Sequence, residues 1–537
     1  MWQQYRNDRR ESDGRENLCK NSGRYPFASS GRTNTFALFT ELSLSITGQI
    51  GSVGLIIPSA LATDIPYAEF WSDILERRCL VSMFDFENRG VFFPNVHSSY
   101  KFSLFTFKPN RDAAIESKFG FFLSNVEDIR NRGKVFTLSQ RLVTQLNPIT
   151  KLLPVCRTIH DFGLLLALHR LNKPLMTEAT PWVGLTSSAT SKNWFFNERE
   201  ECPNPGYVAF WEAKCIHQFD HRFSTYAGTD RSEKLDGRPK LFEFDSDPES
   251  SIVTRYHVPE SMWLGHLKTK QTYVSGTCGY RDVARSTDER TMISAVVPFA
   301  GFMQPLNGIS HKDPKALLRL VACLNSFALD FSCRQKTPGT HVNVTICKQL
   351  PTLLESAYSG IDAMIGEQGA GWILKRALEL TYTAFDLESF AHDCSFNGPP
   401  FRWDEERRFN LRCELDAAFF HLYLGSDEQW RRQPESLISY FYTPRDAVAY
   451  IMDTFPIVKR KDKEKFGTYR TKERILEIYD DLAESQRTGQ PYVSPQNPSP
   501  GPPTDEHGQF IPMSQWNPNH WPPHIHLPRE AHKTPKG

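Results

Sequence analysis

No stretch of the 537 residues approaches the ~20 consecutive apolar positions that a membrane-spanning helix needs. The N-terminal stretch MWQQYRNDRRESDGRENLCKNSGRYP is charged along its length and lacks an apolar centre, which excludes a secretory signal peptide. The chain also lacks a dominant sign of charge. Its 63 Lys and Arg balance 62 Asp and Glu to a net charge of +1, so nucleic-acid contact would have to come from local patches. Eleven cysteines stand singly (Cys19, Cys79, Cys156, Cys202, Cys215, Cys278, Cys323, Cys333, Cys347, Cys394, Cys413), with no CxxC pair. That spacing argues against a zinc cluster and suits isolated thiols in a reducing compartment. No repeat with a period of roughly 20–50 residues is visible. These absences predict a soluble, cytoplasmic protein of two or three domains, long enough for sizeable cores.

What is present is organised around Phe84–Phe107, FDFENRGVFFPNVHSSYKFSLFTF. Upstream, Gly51–Ser59 is a continuous apolar run ending at Pro58–Ser59, the pattern of a strand buried on both faces. Ala68–Cys79 places Phe70, Trp71, Ile74 and Leu75 at helical spacing, as a crossover helix would. Val81–Phe86 reads as the next strand, and Lys101–Phe107 alternates as a further one after the loop Asn88–Ser99. This predicts part of an α/β sheet. Residues 1–30 read as a loop, and Phe36, Phe39 and Leu42 mark one face of the helix that follows. A parallel sheet needs more strands than these, and the expectation is a sheet cut in half, with its other strands upstream.

Asn147–Thr158 is a connector punctuated by proline. Further helices are predicted at Ile159–Leu171 and, as one amphipathic element, at Leu317–Arg334. Strands are predicted at Met292–Pro298 and His341–Ile346. Residues 371–425 and Ser436–Phe455 read as helical, and the basic run beginning at Val458 ends in a helix near Ser485. Beyond Gly489 the composition turns to Pro, Asn and His, which predicts a flexible tail. The predicted domains are 1–150, 151–355, 356–488 and the tail 489–537.

Three motifs in the first part occur in order: N-x-[FY]-x-x-F-x-E, then G-x-x-G-x-I-x-P-S at Gly51–Ser59, then DFENR…FPxVxSxxKFxLxT from Asp85. Together they resemble the second half of the catalytic domain of N6-adenine DNA methyltransferases. The nearest likeness is to the large Eco57I-like, type IIG methylases and the DISARM/BREX-type methylases of phage defence. WEAKCIHQFDHRFSTYAG, RDVARSTDERTMISAVVP, LNSFALDFSCRQKTPGTHVNVTICKQLP, GPPFRWDEERRFNLRCELDAAFFHLY and FPIVKRKDKEKFGTYRTKERILEIYD resemble the target-recognition and C-terminal regions of the same enzymes. The resemblance runs from about Gly14 to Thr488. It implies a partial Rossmann-like methyltransferase sheet, an α+β target-recognition domain and a helical C-terminal region. It also implies S-adenosylmethionine as cofactor, with Phe39 lining its adenine side, and double-stranded DNA as partner. Phe93 would stack on an extruded target base, with Pro94 behind it.

The chain departs from that pattern at two points. The glycine cofactor loop that follows the family's first strand has no match, and neither does the [DN]-PP-[WYF] loop that holds the amine to be methylated. Asn397-Gly398-Pro399-Pro400-Phe401 resembles the latter superficially, but it has an inserted Gly and follows a polar helical segment. The expectation is therefore a chain with weak or no methyl transfer alone, partnered by a separate N-terminal methylase half or by other restriction or defence subunits.

Other clusters weigh a function against a structural role. Arg281, Arg285 and Arg290 with Ser286 and Thr287, and Arg334, Lys336, Thr340 and His341, suit phosphate and base-edge contacts. Lys459, Arg460, Lys461, Lys463 and Lys465, with Arg470, Lys472 and Arg474, form either a DNA-backbone patch or a solvated helix face. Glu212-Ala213-Lys214 after Val208–Trp211 is half of a PD-(D/E)xK nuclease site, in which carboxylates hold Mg²⁺. His217, Asp220 and His221, or the tail residues His520, His524 and His526, have metal-ligand side chains but lack convincing spacing. Two further readings stay open: a non-catalytic DNA-recognition subunit of a restriction or defence complex, and an Mg²⁺-dependent nuclease.

Overall fold

The computed structural model describes residues 1–29, 33–89, 92–97, 100–109, 116–170, 172–185, 206–228, 238–243, 247–270 and 275–529. Ser98 of the Phe93 motif, Cys202, Leu171 and the 201–205 stretch lie outside the described residues. The chain divides into two compact units, Met1–His169 and Arg170–Gly537.

The first unit opens with helix α1, Trp2–Asn21, where a loop was expected. No apolar stripe announces it and none of its residues is buried. Its support is i,i+4 pairing of Arg9 with Asp13, Glu11 with Arg15 and Glu16 with Lys20. Helix α2, Thr35–Ile46, is capped by Asn34, whose side chain accepts from Phe36 N. A sheet follows, built from β1 (Val53–Ile57), β2 (Leu80–Glu87), β3 (Lys101–Phe107), β4 (Ser117–Leu123) and β5 (Val135–Leu138). Helix α3, Ala68–Glu76, lies between β1 and β2 in sequence and buries Phe70, Trp71, Ile74 and Leu75.

The strand order is β1-β3-β2-β4-β5. β3 inserts antiparallel between β1 and β2, while β2 and β4 are parallel. The sheet is thus mixed, and β1 is an edge strand instead of one buried on both faces: Gly54 and Ile56 are exposed. β3 returns from β2 through the Asn88–Tyr100 connection as its antiparallel neighbour, with Asn88 N donating to Tyr100 O at 3.2 Å. Ile57, Met83, Phe105, Phe119 and Phe136 point to one face and form the core with α3, α4 (Gln140–Leu146) and α5 (Ile159–Arg170).

Among the described residues the second unit holds four small sheets, two of them only two-stranded, and most of the helices. Strands Tyr207–Trp211, Tyr256–Pro259 and Gly301–Phe302 form one sheet. Thr180–Trp182, Thr277–Arg281, Ser294–Val297 and Leu306–Ser310 form an antiparallel one, its third member the predicted Met292–Pro298 strand. The single helix expected over Leu317–Arg334 is two, α6 (Pro314–Asn325) and α7 (Phe327–Lys336), bent by 68°. Ser326 takes an extended conformation and accepts from Leu329 N, so its capping preference ends one helix and starts the next. The same physics overturns the strand expected at His341–Ile346. Asn343 caps a short helix, α8 (Val344–Lys348), by accepting from Ile346 N at 3.0 Å.

Helices α9 (Gly369–Thr381) and α10 (Glu405–Leu424) are joined by a buried Arg376–Glu414 ion pair at 2.6 Å. The run expected over Ser436–Phe455 resolves into a short turn and α11 (Pro444–Asp453), started by a Thr443–Asp446 capping box. Then come α12 (Pro456–Phe466) and α13 (Arg470–Thr488). Among the described residues no single helix is long and apolar enough to cross a membrane; the bent α6–α7 pair passes on composition, and its residues are buried in this unit.

Residues 490–529, expected as a flexible tail, are packed without helices of more than three residues or strands. Prolines deny them a ladder, but aromatics and backbone groups anchor them. Phe401 pairs with Ile525, Gly501 N donates to Glu379 at 2.7 Å, and Trp516 stacks on Phe396.

Candidate nucleic-acid interface

In the first unit the feature of interest hangs from the end of β2. Asn88, buried at the strand terminus, holds the next loop with three hydrogen bonds. Its Nδ2 donates to the carbonyls of Phe93 (3.0 Å) and Val96 (2.9 Å), and its Oδ1 accepts from Phe93 N (2.8 Å). Val96 N closes a turn onto Phe93 O. Beneath the loop, Phe86 and Phe102 stack at 5.4 Å, and Phe92 packs edge-on to both. Phe93 stands edge-on to Phe102 at 5.0 Å and 86°, with 41% of its surface exposed beside the exposed Pro94. The result is an aromatic ring fixed by backbone clamps at the carboxyl end of a strand.

The helix-covered side of the same sheet end is polar. Asp85, fully buried, accepts from Ser103 Oγ at 3.1 Å and from Ser59, and faces Lys101 Nζ at 3.9 Å. Burial raises the Asp85 pKa and lowers that of Lys101, each opposed by the charge of the other. Lys101 and Arg157 both lie over the Phe122 ring, at 3.8 and 3.9 Å. Phe39 stands on α2 with 63% of its surface exposed, flanked by Leu42 and Ile46. One exposed aromatic is no pocket for S-adenosylmethionine.

In the second unit the basic residues separate into two sets. Arg281 is turned inward: its Nε donates to Ile216 O at 2.9 Å, and burial lowers its pKa to about 10. Arg290 forms a buried ion pair with Asp330 at 2.6 Å, its guanidinium 4.0 Å from the Phe327 ring centroid. Arg334 donates to the carbonyls of Asp288 and Glu289, and Lys336 Nζ donates to Gln349 O at 2.9 Å. These four are corrected from contact residues to internal struts, because a guanidinium taken from water must be saturated by partners inside.

Arg285, Thr340 and His341 form the other set, and the backbone brings them together. Ala284 N donates to Thr340 O at 3.1 Å, Val342 N donates to Asp282 O at 2.7 Å, and Val283 bridges His341. All three side chains are exposed. Lys461 on α12 reaches the same loop through Glu289 at 2.5 Å. Lys459, partly exposed, pairs with Asp453 (3.0 Å), and the exposed Arg460 lies 3.8 Å from Glu464. Lys463 and Lys465 are exposed as well. Lys461 thus joins the loop and turn that carry Arg285, Thr340 and His341, while Lys459 and Arg460 stand beside it in sequence on α12.

Two contributors were missed in the sequence. Asn88 sat inside a motif without being singled out, and only its three bonds reveal its role. Arg412 on α10, far along the chain, adds its charge near His217. Burial, with the nearby cations Arg281, Arg412, Arg290 and Lys461, lowers the His217 pKa to about 3, which registers a positive local field.

The remaining candidates do not form sites. Glu212 is engaged by Arg255 (3.0 Å), by the Tyr226 hydroxyl (2.8 Å) and by Lys214 (3.5 Å). His221 meets Asp386 at 2.8 Å while His217 stacks on Phe223, so the two histidines do not converge. His524 bonds Gly501 O at 2.9 Å. Among the described residues no group of three or more His, Cys, Asp or Glu is placed to hold a metal ion. Of the ten described cysteines nine are buried and none is in a disulfide.

No protein-family model and no curated protein matches the chain. Among solved structures it is similar to the type IIL restriction-modification enzyme MmeI in complex with DNA, with a TM-score of 0.34 and 10% identity over 88% of this chain and 55% of that one. It is also similar to the type IIG restriction endonuclease BpuSI, with a TM-score of 0.27 and 10% identity over 88% of this chain and 52% of that one. The chain spans about half the length of each.

Proposed function

We propose that this chain is the target-recognition and base-holding part of a site-specific DNA adenine-N6 methyltransferase of a restriction-modification or phage-defence system. The observation that carries the reading is the Asn88-clamped loop, which holds Phe93 half-exposed within the FPxV motif. An exocyclic amine inside a duplex is out of reach, so the base has to be extruded and received on a stacking surface. Stacking on one aromatic side chain contributes about 1–3 kcal/mol, comparable with the cost of unstacking. A rigid ring has little ordering entropy left to lose on binding. Arg285, Thr340, His341, Lys459, Arg460 and Lys461 would hold the duplex by its phosphates.

S-adenosylmethionine supplies the methyl group in such an enzyme. No cofactor or amine-holding loop is present in this sequence, and Phe39 alone does not complete a pocket, so no step is routed through a cofactor bound here. The donor-binding half belongs to another polypeptide or another segment. The test selects duplexes that the purified chain enriches from random DNA, then places 2-aminopurine at each adenine of the enriched site. Fluorescence should rise at one position and fall back with Phe93→Ala. Enrichment of no sequence, or a signal indifferent to Phe93→Ala, would remove the base-holding role.

A non-catalytic recognition subunit is the second reading, favoured by the same missing loops and by the exposed Phe39. Sequence-selective binding without any extruded base would select it. The nuclease reading is the weakest, since the Glu212 carboxylate is already paired with Arg255 and accepts from the Tyr226 hydroxyl.

A further inference from the structure

Past the strand Thr277–Arg281 the chain forms a short antiparallel ribbon with the segment that precedes α8. Val283 and His341 are bridged as direct cross-strand partners, Ala284 N donates to Thr340 O at 3.1 Å, and Val342 N donates to Asp282 O at 2.7 Å. Alternation sorts the side chains. Asp282, Ala284 and Val342 are buried, whereas Val283 is 53% exposed and the His341 side chain 56%. Direct partners of an antiparallel pair share a face, so the valine methyls and the imidazole stand side by side in solvent.

His341 differs from the cations around it in being backed by a buried acid. Asp282 Oδ1 has no hydrogen bond among the described residues, and it faces His341 Nδ1 at 3.3 Å. A carboxylate in that place keeps the ring proton on Nδ1. The opposite nitrogen, Nε2, is then the acceptor of the neutral ring. The ribbon therefore offers one fixed acceptor beside one apolar group. The major groove of B-DNA admits a two-stranded ribbon, and an A·T pair displays there the N6 amine of adenine and the C5 methyl of thymine. A C·G pair has a donor amine but no methyl.

We propose, on the DNA-recognition reading of this chain, that the ribbon of residues 282–284 and 340–342 reads one A·T pair in the major groove. His341 Nε2 accepts from adenine N6–H and Val283 covers the thymine methyl. Asp282 is the positioning residue that fixes the tautomer. Arg285 and Thr340, exposed on the same two segments, hold phosphates and set the register.

The test compares the duplexes enriched from random DNA, at about pH 8, by the full chain and by its His341→Ala, Val283→Ala and Asp282→Asn variants. The parent should demand A·T at one position. His341→Ala and Asp282→Asn should relax that preference at least about fivefold, leaving the other positions and the salt dependence of binding unchanged. A purine without the exocyclic amine in place of that adenine should weaken the parent as much as His341→Ala does, and should not weaken that variant further. Deoxyuridine in place of the thymine should cost the parent about threefold and Val283→Ala nothing. A parent that enriches no sequence would remove the recognition role and the ribbon's with it. A consensus that His341→Ala leaves intact, a loss spread evenly over all positions, or a parent preference there for a pair other than A·T would overturn the ribbon's role alone.

Discussion

Phe93 owes its position to Asn88, and the two residues make separable predictions. Phe93→Ala should leave folding nearly unchanged, since the ring is half-exposed, while weakening specific DNA binding by about 1–3 kcal/mol. Asn88→Ala should weaken DNA binding to a similar extent and also lower the melting temperature, because it removes three hydrogen bonds and leaves Phe93 N and Val96 O without that partner, at about 1–3 kcal/mol for each buried group left unsatisfied. Thermal melts beside binding isotherms distinguish the two. Arg285 and Arg290 carry the same side chain five positions apart with opposite uses. Arg290→Ala removes the nearest cation of the buried Asp330 carboxylate, leaving Arg334 at 3.4 Å, and should cost about 3 kcal/mol of stability by urea unfolding. Arg285→Ala should change stability by less than about 0.5 kcal/mol, yet reduce the slope of log affinity against log salt by about one. Residue types and local motif were readable from the sequence here. Which arginine faces water was not, since that depends on Asp330, far along the chain.

At the scale of elements, α10 meets α13 through His421, whose ring stacks on Tyr479 at 3.8 Å while Nε2–H donates to Tyr479 O at 2.9 Å. Burial holds its pKa down at about 4, below the ordinary 6.5. Between those values the unfolded chain binds a proton that the folded chain refuses. The packing therefore contributes fully above pH 6.5, and stability falls as pH drops toward 4, by roughly 3 kcal/mol for this group. Urea unfolding across that range should show the loss, and His421→Gln should flatten it. Long helices such as α10 and α13, and strands β1, β2 and β3, were legible from their apolar patterns, whereas β4 and β5 were not. Two of the elements that differed turn on single capping residues. Ser326 breaks one amphipathic run into two helices, and Asn343 turns an expected strand into a helix. A side-chain oxygen outweighs the apolar pattern wherever it satisfies the helix donors that burial would otherwise orphan.

Over the whole molecule, the proposed division of labour predicts that the purified chain, mixed with DNA and labelled S-adenosylmethionine, incorporates no methyl above background. Robust incorporation would assign the donor site to this chain and overturn the recognition-half reading. DNA binding should weaken steeply from low to moderate ionic strength, as expected of several phosphate contacts. The sequence by itself determined that no apolar run spans a bilayer and that the first part alternates strands with a helix, and it singled out the DFENR…FPxV segment as the candidate site. Those properties depend on composition and near-neighbour spacing, which a linear reading contains. Tertiary structure alone decided that β3 inserts antiparallel, that β1 is an uncharged edge, and that residues 490–529 pack. It also decided that Arg281, Arg290, Arg334 and Lys336 are internal struts while Arg285, His341 and Lys461 share a surface. The reason is desolvation: whether a charge is a strut or a contact depends on what surrounds it, and those neighbours come from distant parts of the chain.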